Sequence, residues 1–296
     1  MKKVIVGLGE ILWDIFPKKK VLGGAPTNFF YHSKQLSDRF AEVKIVSKIG
    51  NDLFGDEALD ELHHFDTSYI QVDKVKKTGK VFVHLDKNNQ PNYNILKDMA
   101  WDYIKFDKDL EELSKKTNAV CFGTLCQRSK ISKKTIQKFL TLTSPECLKV
   151  FDINLRGFFY NKEIIKSSLN FANVLKINEQ EIKIVAKMFG LNGCVETLLQ
   201  KIYDRFNLKI GVLTLGEKGS IIHKKGVNYY TITPKIKLVD PVGAGDSFTA
   251  SLVVGLLRGY NLDYINLCAN RVAAYVCSQN GASVQLPKRL KKLFLI

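Results

Sequence analysis

Short apolar runs rich in Val and Ile alternate along the chain with longer segments in which apolar residues recur every three or four positions. The short runs predict strands buried on both faces, at 4–6, 43–46, 119–122, 150–153, 174–177 and 210–213. The longer segments predict helices at about 26–37, 53–65, 130–142, 162–171, 179–189, 194–206, 246–258 and 262–279. This alternation predicts one α/β unit over residues 1–296, a doubly wound, mostly parallel sheet sandwiched between helices.

A central stretch follows a different pattern, in which apolar and polar residues alternate over short distances. It predicts strands at 69–72, 80–85 and 92–95, each with one face in solvent. The Asn-Asn pair at 88–89 predicts a turn between the last two strands. We therefore expect a small β-sheet lid, formed by about 11–27 and 70–103, on a chain that no linker or internal repeat divides.

Basic residues outnumber acidic ones by 45 to 29, which gives a formal net charge of +16. They occur as short doublets without zinc-finger spacing or a basic heptad array, so we interpret them as solvated surface and predict no nucleic-acid partner. The longest apolar stretch near the start, residues 4–8, is too short for a membrane span or a secretion signal. Six cysteines without a CxxC pair predict reduced thiols. We expect a cytoplasmic protein with no membrane partner.

The chemistry of the chain is concentrated at 240–248, Asp-Pro-Val-Gly-Ala-Gly-Asp-Ser-Phe, directly before an apolar helical segment. Glycines let the backbone turn sharply, and the first amides of a helix point outward at the positive end of its dipole. The amides of Gly243, Ala244 and Gly245 therefore predict an anion site, which would stabilise the group that moves in a phosphoryl transfer. Asp246 beside it could accept the proton of an attacking alcohol. The alternative is a turn in which Asp246 only caps a helix.

Residues 240–248 resemble the C-terminal signature of the ribokinase-like (PfkB) sugar kinases, and Gly23-Gly24-Ala25-Pro26-Thr27-Asn28 is similar to their N-terminal diglycine motif. The likeness covers essentially the whole chain, with further similar segments at 50–56, 152–156, 178–181 and 213–219. Residues 9–17 and the later LGGAPTNFFYH are most like bacterial fructokinases. The resemblance implies a ribokinase-like fold and an ATP-dependent kinase that transfers the γ-phosphoryl group to a sugar hydroxyl, converting fructose to fructose 6-phosphate.

The resemblance also implies which residues contact the sugar. The matching positions are Asp14, Gly24, Asn28 and Arg156. Carboxylate and amide groups can hydrogen-bond sugar hydroxyls, and an arginine can pair with an anionic group of the substrate. Structural alternatives stay open for each: a surface turn for Asp14, a tight turn for the diglycine and a salt bridge for Arg156.

The nucleotide and its magnesium ion are implied in the same way. The positions that match the nucleotide groove are Thr214, Gly216 and Gly219, with Asn270 near the adenine. Asn178 and Glu181, at the start of a helix, match the residues that position hydrated Mg²⁺ on the phosphates. Glu181 is equally suited to an ordinary first-turn carboxylate that favours the helix dipole, and Asn270 to a solvated helix position.

A monovalent-cation site is implied at Asp240, Val242 and Gly281, where K⁺ would neutralise charge beside the anion site. Val242 stands where Thr is common in the family, which leaves K⁺ activation open. Leu12 stands where ribokinases carry a sugar-binding Asn, so a hexose is favoured over ribose.

Other functions remain alternatives at this stage. The acceptor could be 2-keto-3-deoxygluconate, ribose or a nucleoside, and Arg156 would suit an acid. The fold could instead serve a non-catalytic sugar or nucleotide sensor, which is expected to lose the base or the anion site. The sequence contains no GxxxxGK[ST] and no HExxH, so neither a P-loop nor that zinc motif is present. A homodimer through the β lid is a further expectation that follows from the resemblance.

Overall fold

The computed structural model describes residues 2–85 and 91–295, so the turn predicted at 88–89 lies outside the described residues. The strands in this part of the chain are β1 (Lys3–Leu8), β2 (Leu12–Ile15), β3 (Lys20–Gly23), β4 (Ala41–Gly50), β5 (Ile70–Asp73), β6 (Gly79–Leu85), β7 (Pro91–Ile95), β8 (Ala119–Phe122), β9 (Leu148–Asp152), β10 (Val174–Asn178), β11 (Ile210–Thr214), β12 (Ser220–Lys224) and β13 (Val227–Thr231). They form two separate sheets.

The α-helices of the described residues are α1 (Ala25–Ser37), α2 (Leu53–Glu61), α3 (Lys108–Lys116), α4 (Lys130–Leu142), α5 (Lys162–Phe171), α6 (Glu179–Phe189), α7 (Val195–Arg205), α8 (Ala244–Leu257), α9 (Leu262–Cys277) and α10 (Lys288–Lys292). Most connect neighbouring parallel strands, which cannot be joined by a tight turn. Within residues 2–85 and 91–295, no helix has both the length and the apolar character needed to cross a membrane.

The large sheet has the strand order β13-β12-β11-β10-β9-β8-β1-β4-β5. Neighbours from β11 to β5 are parallel, whereas β12 and β13 are antiparallel additions at one edge. The order along the chain reverses between β1 and β8, and ligands of open α/β sheets bind at the carboxyl edge beside such a reversal. The predicted mostly parallel, doubly wound sheet is confirmed.

Helices cover both faces of this sheet and create two hydrophobic cores. On one face, Leu8 and Phe122 pack with residues of α3 to α7, and we name this cluster the first core. On the other face, Ile5 and Cys121 pack with residues of α1, α8 and α9, and we name this cluster the second core. Successive strand residues therefore enter different cores, which explains why the buried strands are mostly apolar on both faces.

The small sheet has the strand order β3-β2-β6-β7 and lies within the two segments from which we expect a lid. β2 is antiparallel to β3 and parallel to β6, and β6 is antiparallel to β7. Leu12 and Asp14 of β2, with Val81 of β6, lie on one face of this sheet and line a cavity. The small sheet therefore covers the carboxyl edge of the large one.

The strand predicted at 69–72 differs from that expectation, because it belongs to the large sheet. It is present as β5, which pairs in parallel with β4, and Ile70 is buried in the second core. Alternation of apolar and polar residues fits any strand with one covered face, and β5 has one covered face at the edge of the large sheet. The second lid segment therefore contributes its first strand at Gly79, not at residue 70.

Candidate active site

A cavity of about 300 Å³ lies between the two sheets. Three parts of the fold line it: the inner face of the small sheet, the carboxyl ends of the parallel strands and the amino terminus of α8. The polar residues that line it are Glu10, Asp14, Asn28, Tyr93, Asn154, Arg156, Lys176, Asn178, Glu181 and Asp246. Six of these, Asp14, Asn28, Arg156, Asn178, Glu181 and Asp246, are predicted from the sequence, and the structure brings them together.

The turn before α8 is shaped by Gly243, which has φ 80° and precedes the first helical residue. A β-carbon at this position would lie 2.7 Å from the α-carbon of Ala282, so only glycine fits. The first helical hydrogen bond runs from the amide of Ser247 to the Gly243 carbonyl, at 2.9 Å. The amides of Gly245 and Asp246 have no acceptor among the described residues, whereas that of Ala244 lies 3.4 Å from the Pro241 carbonyl oxygen. All three stand at the positive end of the helix, where an anion is favoured. Gly243 and Gly245 line the cavity.

Asp246 is half-buried in the first turn of α8 and accepts a hydrogen bond of 2.8 Å from the side-chain amide of Asn28. Gly243 is the N-cap residue and no side chain caps α8, so the alternative interpretation of Asp246 as a cap is wrong. Burial raises the pKa of Asp246 to about 6, assisted by repulsion from Asp152 and opposed by Asn28, Lys176 and Arg156. Asp246 is thus a more basic carboxylate than one in water.

The helix that carries Asn28 begins at a close contact between two chain segments. Gly24 precedes α1 with φ 104°, and a β-carbon there would lie 2.4 Å from the carbonyl oxygen of Glu10. Further along α1, burial lowers the pKa of His32 to about 4, and Nε2 of this neutral ring lies 2.8 Å from the Ala282 carbonyl oxygen. α1 therefore contacts both the cavity, through Asn28, and the segment packed beneath Gly243.

Two carboxyl groups face the cavity from the amino-terminal motif. Asp14 lies on β2, not in a surface turn, and its Oδ2 would be 2.6 Å from a β-carbon on Gly23. Burial raises the pKa of Asp14 to about 6, although the positive charge of Arg156 opposes this rise. Glu10, which the sequence analysis did not select, is 4% exposed and its pKa is raised to about 7 by burial.

Arg156 is exposed at the cavity wall, on the loop that follows β9. Its described hydrogen bond is a long one, 3.4 Å from Nη1 to the carbonyl oxygen of Leu155. Among residues 2–85 and 91–295 its guanidinium forms no ion pair. The alternative of a structural salt bridge is therefore not supported, and the group is free to meet a ligand.

Asn178 and Glu181 form a capping box at the start of α6. Asn178 Oδ1 accepts from the amide of Glu181 at 2.9 Å, and Glu181 Oε2 accepts from the amide of Asn178 at 3.0 Å. Glu181 Oε1 accepts from the amide of Leu155 at 2.9 Å. The interpretation of Glu181 as a first-turn carboxylate of a helix is confirmed, and the same bonds fix its carboxylate at the cavity wall. No cluster of three metal-binding side chains occurs among the described residues, so this pair fits a hydrated ion and not a fully chelated one.

A buried ion pair beneath the cavity was missed from the sequence. Lys176 Nζ lies 3.0 Å from Asp152 Oδ1, and both side chains are less than a tenth exposed. Lys176 lines the cavity, whereas Asp152 also accepts a hydrogen bond of 2.8 Å from Thr249 in α8. The available signal was a lysine within an apolar run that predicts a buried strand.

The residues of the implied K⁺ site lie together beside the anion site. Asp240 Oδ1 accepts from the amide of Val242 at 3.0 Å, and Oδ2 accepts from the amide of Gly281 at 3.1 Å. The carboxylate thus closes a loop between the two segments. Binding of K⁺ itself stays a prediction.

The residues of the implied nucleotide groove lie outside the cavity. Thr214 is paired with Asn178 on the neighbouring strand, so the groove begins directly beside the cavity. Gly216 and Gly219 have φ values of 62° and 109° in the turn that follows Thr214. Asn270 is 3% exposed, and its side-chain amide donates to Ser220 Oγ at 2.7 Å and to the Asn266 carbonyl oxygen at 2.8 Å. Asn270 is therefore a buried brace between α9 and β12 and not a solvated helix position, and its contact with adenine stays a prediction.

The arrangement of the two sheets is shared with known kinases. A fructokinase from Xylella fastidiosa, solved with bound ATP, matches with a TM-score of 0.87 over 100% of this chain and 99% of its own. At 17% identity this likeness shows the fold alone, which is that of the ribokinase-like kinases. The family model for the pfkB family carbohydrate kinases matches residues 18–289, and the chain belongs to that family.

Two relatives are similar over nearly the whole chain. A putative sugar kinase from Pyrococcus horikoshii is 28% identical over 94% of this chain and 91% of its own length. The structure of that protein in complex with ATP has a TM-score of 0.83 at 25% identity, covering 98% of this chain and 99% of its own. An ATP-dependent 6-phosphofructokinase from Thermoanaerobacterium thermosaccharolyticum is 29% identical over 96% of this chain and 90% of its own length. The protein is thus a carbohydrate kinase, a phosphotransferase that uses ATP and a hydroxyl acceptor.

Proposed function

We propose that this kinase phosphorylates the 6-hydroxyl group of fructose and yields fructose 6-phosphate. The observation that carries the proposal is the hydrogen bond between Asn28 and Asp246, because it joins the predicted sugar-binding helix to the predicted base in one cavity. The intact base and anion site also argue against a non-catalytic sensor.

Asp246 is the general base of the proposed mechanism. Its raised pKa, about 6, leaves it ionised at neutral pH while making it a better proton acceptor than an exposed aspartate. A positioned base of this kind contributes a factor of about 10²–10⁴ to the rate. The amides of the turn at 243–245 would hold the transferred group as its negative charge is redistributed.

A neutral sugar is the favoured acceptor because carboxyl groups dominate the acceptor side of the cavity. Glu10, Asp14 and Asp246 all line it, and each can accept hydrogen bonds from hydroxyl groups. An acceptor with its own negative charge would be repelled by these groups when they are ionised. Leu12 offers no polar group where ribokinases use Asn, which favours a hexose over ribose.

ATP would place its phosphates at the amino terminus of α8 and its nucleoside along the groove that starts at Thr214. Asn178 and Glu181 would hold hydrated Mg²⁺, which supplies charge neutralisation on the phosphates when bound. K⁺ beside Asp240 is an additional proposed activator. The protein's own contribution here is a fixed carboxylate at Glu181, since both of its oxygens accept backbone hydrogen bonds.

The small sheet would act as a lid over the acceptor. Leu12, Val81 and Ile95 present apolar side chains to the cavity from three of its strands. Closure of this surface over a bound sugar would exclude water, which otherwise competes as phosphoryl acceptor. A homodimer through the same sheet stays a prediction.

An anionic acceptor is the second candidate, and Arg156 is the observation that favours it. Its guanidinium has no ion pair among the described residues and faces the cavity. It would suit the carboxylate of 2-keto-3-deoxygluconate or the phosphate of a phosphorylated sugar. One relative is named as a 6-phosphofructokinase, so fructose 6-phosphate belongs in the acceptor panel.

The proposal is tested by ADP release from Mg-ATP with fructose, glucose, ribose, adenosine, 2-keto-3-deoxygluconate or fructose 6-phosphate, with and without K⁺. We expect a fructose-dependent rate that falls by about 10²–10⁴ in Asp246→Asn, which keeps the shape of the side chain but removes the base. Circular dichroism of both proteins checks that the substitution leaves the fold intact. A preference for an acidic or phosphorylated acceptor would replace fructose by the second candidate. Absence of turnover with every acceptor in folded protein would overturn the proposal.

A further inference from the structure

The ion pair of Asp152 and Lys176 is buried, and a contribution to folding stability alone does not explain its presence. The two side chains are 6% and 7% exposed, and their charged atoms lie 3.0 Å apart. Removing two charges from water is unfavourable, and apolar side chains of similar size often stabilise a protein as well or better. A charged pair in this strand layer is therefore expected to have a functional cause.

The lysine reaches the anion site from below. Lys176 lines the cavity, and a β-carbon placed on Gly245 would lie 2.7 Å from Nζ. The ammonium group is thus within contact distance of the turn whose amides point toward the ligand. Glycine at position 245 has a second purpose here, because any side chain would meet the ammonium.

Two bonds hold the lysine in this position. Asp152 accepts a hydrogen bond from Lys176 Nζ on Oδ1 and one of 2.8 Å from Thr249 Oγ1 on Oδ2. The carboxylate is thus fixed between β10 and α8. An ammonium has three N–H donors, and one is used by Asp152. The 3.0 Å ion pair with Asp152 stabilises the charged form of the buried ammonium. The group therefore keeps its charge and has donors left for a ligand.

We propose that Lys176 is a further catalytic residue, whose ammonium contacts the γ-phosphoryl group of ATP while it moves to the acceptor. Asp152 and Thr249 are positioning residues that aim this ammonium. In the transfer, the bond from the acceptor oxygen to phosphorus forms and the bond from phosphorus to the bridging oxygen breaks. The electron pair leaves with ADP, the acceptor proton goes to Asp246, and Lys176 stays protonated. This inference rests on the proposed use of the cavity for phosphoryl transfer.

The first test compares nucleotides that differ in the γ-phosphoryl group. Calorimetric titration measures Mg-AMP-PNP and Mg-ADP binding to wild type, to Lys176→Met and to the neutral-pair variant Asp152→Asn/Lys176→Met, which leaves no unpaired buried charge. We expect AMP-PNP affinity to fall at least about tenfold in both variants while ADP affinity changes less than about threefold, since the lost contact is charge-assisted. Lys115→Met, at a lysine that is 57% exposed, is the matched control.

The second test uses kinetics. We expect kcat to fall by about 10²–10³ in Lys176→Met with little change in the KM for the acceptor, as for other groups that stabilise transition-state charge. The acid limb of the pH profile of kcat/KM is expected to move to higher pH in Lys176→Met and to lower pH in Asp152→Asn. These two shifts report the electrostatic coupling of the ion pair to Asp246, whereas contact with the γ-phosphoryl group is decided by the nucleotide comparison.

Equal losses of AMP-PNP and ADP affinity, or no loss of either, would overturn the assignment of Lys176. If wild type turns over no acceptor, the proposed acceptor fails, whereas the AMP-PNP comparison still decides the assignment because it requires no acceptor. The two failures are therefore distinguishable.

Discussion

Burial changes the acid–base behaviour of the carboxyl groups that face the cavity. The pKa values of Asp14 and Asp246 are raised to about 6, and that of Glu10 to about 7. A carboxyl group whose pKa is higher in the folded state contributes stability at low pH, and this contribution is lost as pH rises through the folded value. Ionisation of these groups near neutral pH therefore destabilises the empty site, and hydrogen bonds from a bound sugar offset that cost.

The pH dependence of turnover follows from the base. The proposed base, Asp246, must be ionised to accept a proton. We therefore expect kcat/KM to decline as pH falls through about 6, which is about two pH units above the ordinary pKa of an aspartate. The pKa of Glu10 is raised to about 7, so Glu10 is already mostly protonated near pH 6, and Glu10→Gln is expected to leave this limb unchanged. Steady-state rates between pH 4.5 and 8 check both expectations, with Glu112→Gln, at a side chain that is 72% exposed, as the control. An acid limb centred below about pH 5 in wild type would contradict the assignment of Asp246.

The sequence predicts the cavity residues that belong to recognisable motifs, including Asp14 and Asn178 on strands, and misses Glu10 and Lys176. Asp246 and Asn28 follow glycines that mark a close approach of the backbone, so their surroundings can be inferred locally. Glu10 lies between β1 and β2 and Lys176 in the middle of β10, and both have neighbours from distant parts of the chain. Their pKa values and contacts depend on those neighbours and cannot be predicted from the adjacent residues of the sequence.

At the scale of elements, α8 is the part of the fold on which the chemistry depends most directly. Its amino terminus supplies the anion site, its first turn supplies Asp246, and its second turn supplies Thr249 beneath the site. The body of the helix, from Phe248 to Val254, is buried in the second core and fixes its direction. A small displacement of the turn at Gly243 would therefore move several functional groups together.

Gly243→Ala tests this dependence. A non-glycine residue at φ 80° costs about 1–2 kcal/mol, and the new methyl group would lie 2.7 Å from Ala282. We expect kcat to fall by about 10²-fold or more, because the amides and Asp246 are displaced from the ligand. Gly226→Ala is the matched control, since its φ is 79° and the methyl group would meet nothing within 4 Å.

Both variants are expected to lose stability in urea titrations, and only the variant at Gly243 is expected to lose activity. Equal activity in the two variants would show that the turn tolerates displacement.

Two elements differ from the pattern on which the sequence prediction relies. α3 has only two apolar side chains to bury, Leu110 and Leu113, in a short segment of mostly charged residues, and it was not predicted. Asp107 caps it by accepting a 2.9 Å hydrogen bond from the amide of Leu110. The β12–β13 hairpin turns at Lys225 and Gly226, both with positive φ, and was not predicted. The strands and helices that were predicted are those in which buried apolar residues recur with a clear period.

At the scale of the whole molecule, one sheet separates two cores that share every buried strand. Each core also contains one of the two tryptophans of the chain, Trp101 in the first core and Trp13 in the second. If the sheet separated from either core, the strand residues of the other core would also be exposed. We therefore expect the two cores to unfold together.

Single-tryptophan variants test this coupling. Trp13→Phe and Trp101→Phe leave one emission reporter in each core, and their urea transitions are expected to coincide with each other and with circular dichroism. Adding Phe139→Ala to the first core or Leu252→Ala to the second is expected to lower the free energy of unfolding by about 2–5 kcal/mol, as measured by either tryptophan. Ile131→Ala, at a side chain that is 42% exposed, is the control and should change stability by less than about 0.5 kcal/mol. Separate transitions for the two reporters would contradict a shared unfolding unit.

The contacts of α1 also determine the stage of synthesis at which the complete site can form. Asn28 bonds Asp246, His32 meets Ala282, and Gln35 bonds the backbone of Val284 and Leu286. A nascent chain leaves the ribosome with α1 first, yet these partners emerge near the opposite end. Prematurely terminated products that stop before the anion turn lack the base altogether, and those that stop before residue 282 lack the support beneath it. Partial chains in the cell are therefore poor consumers of ATP.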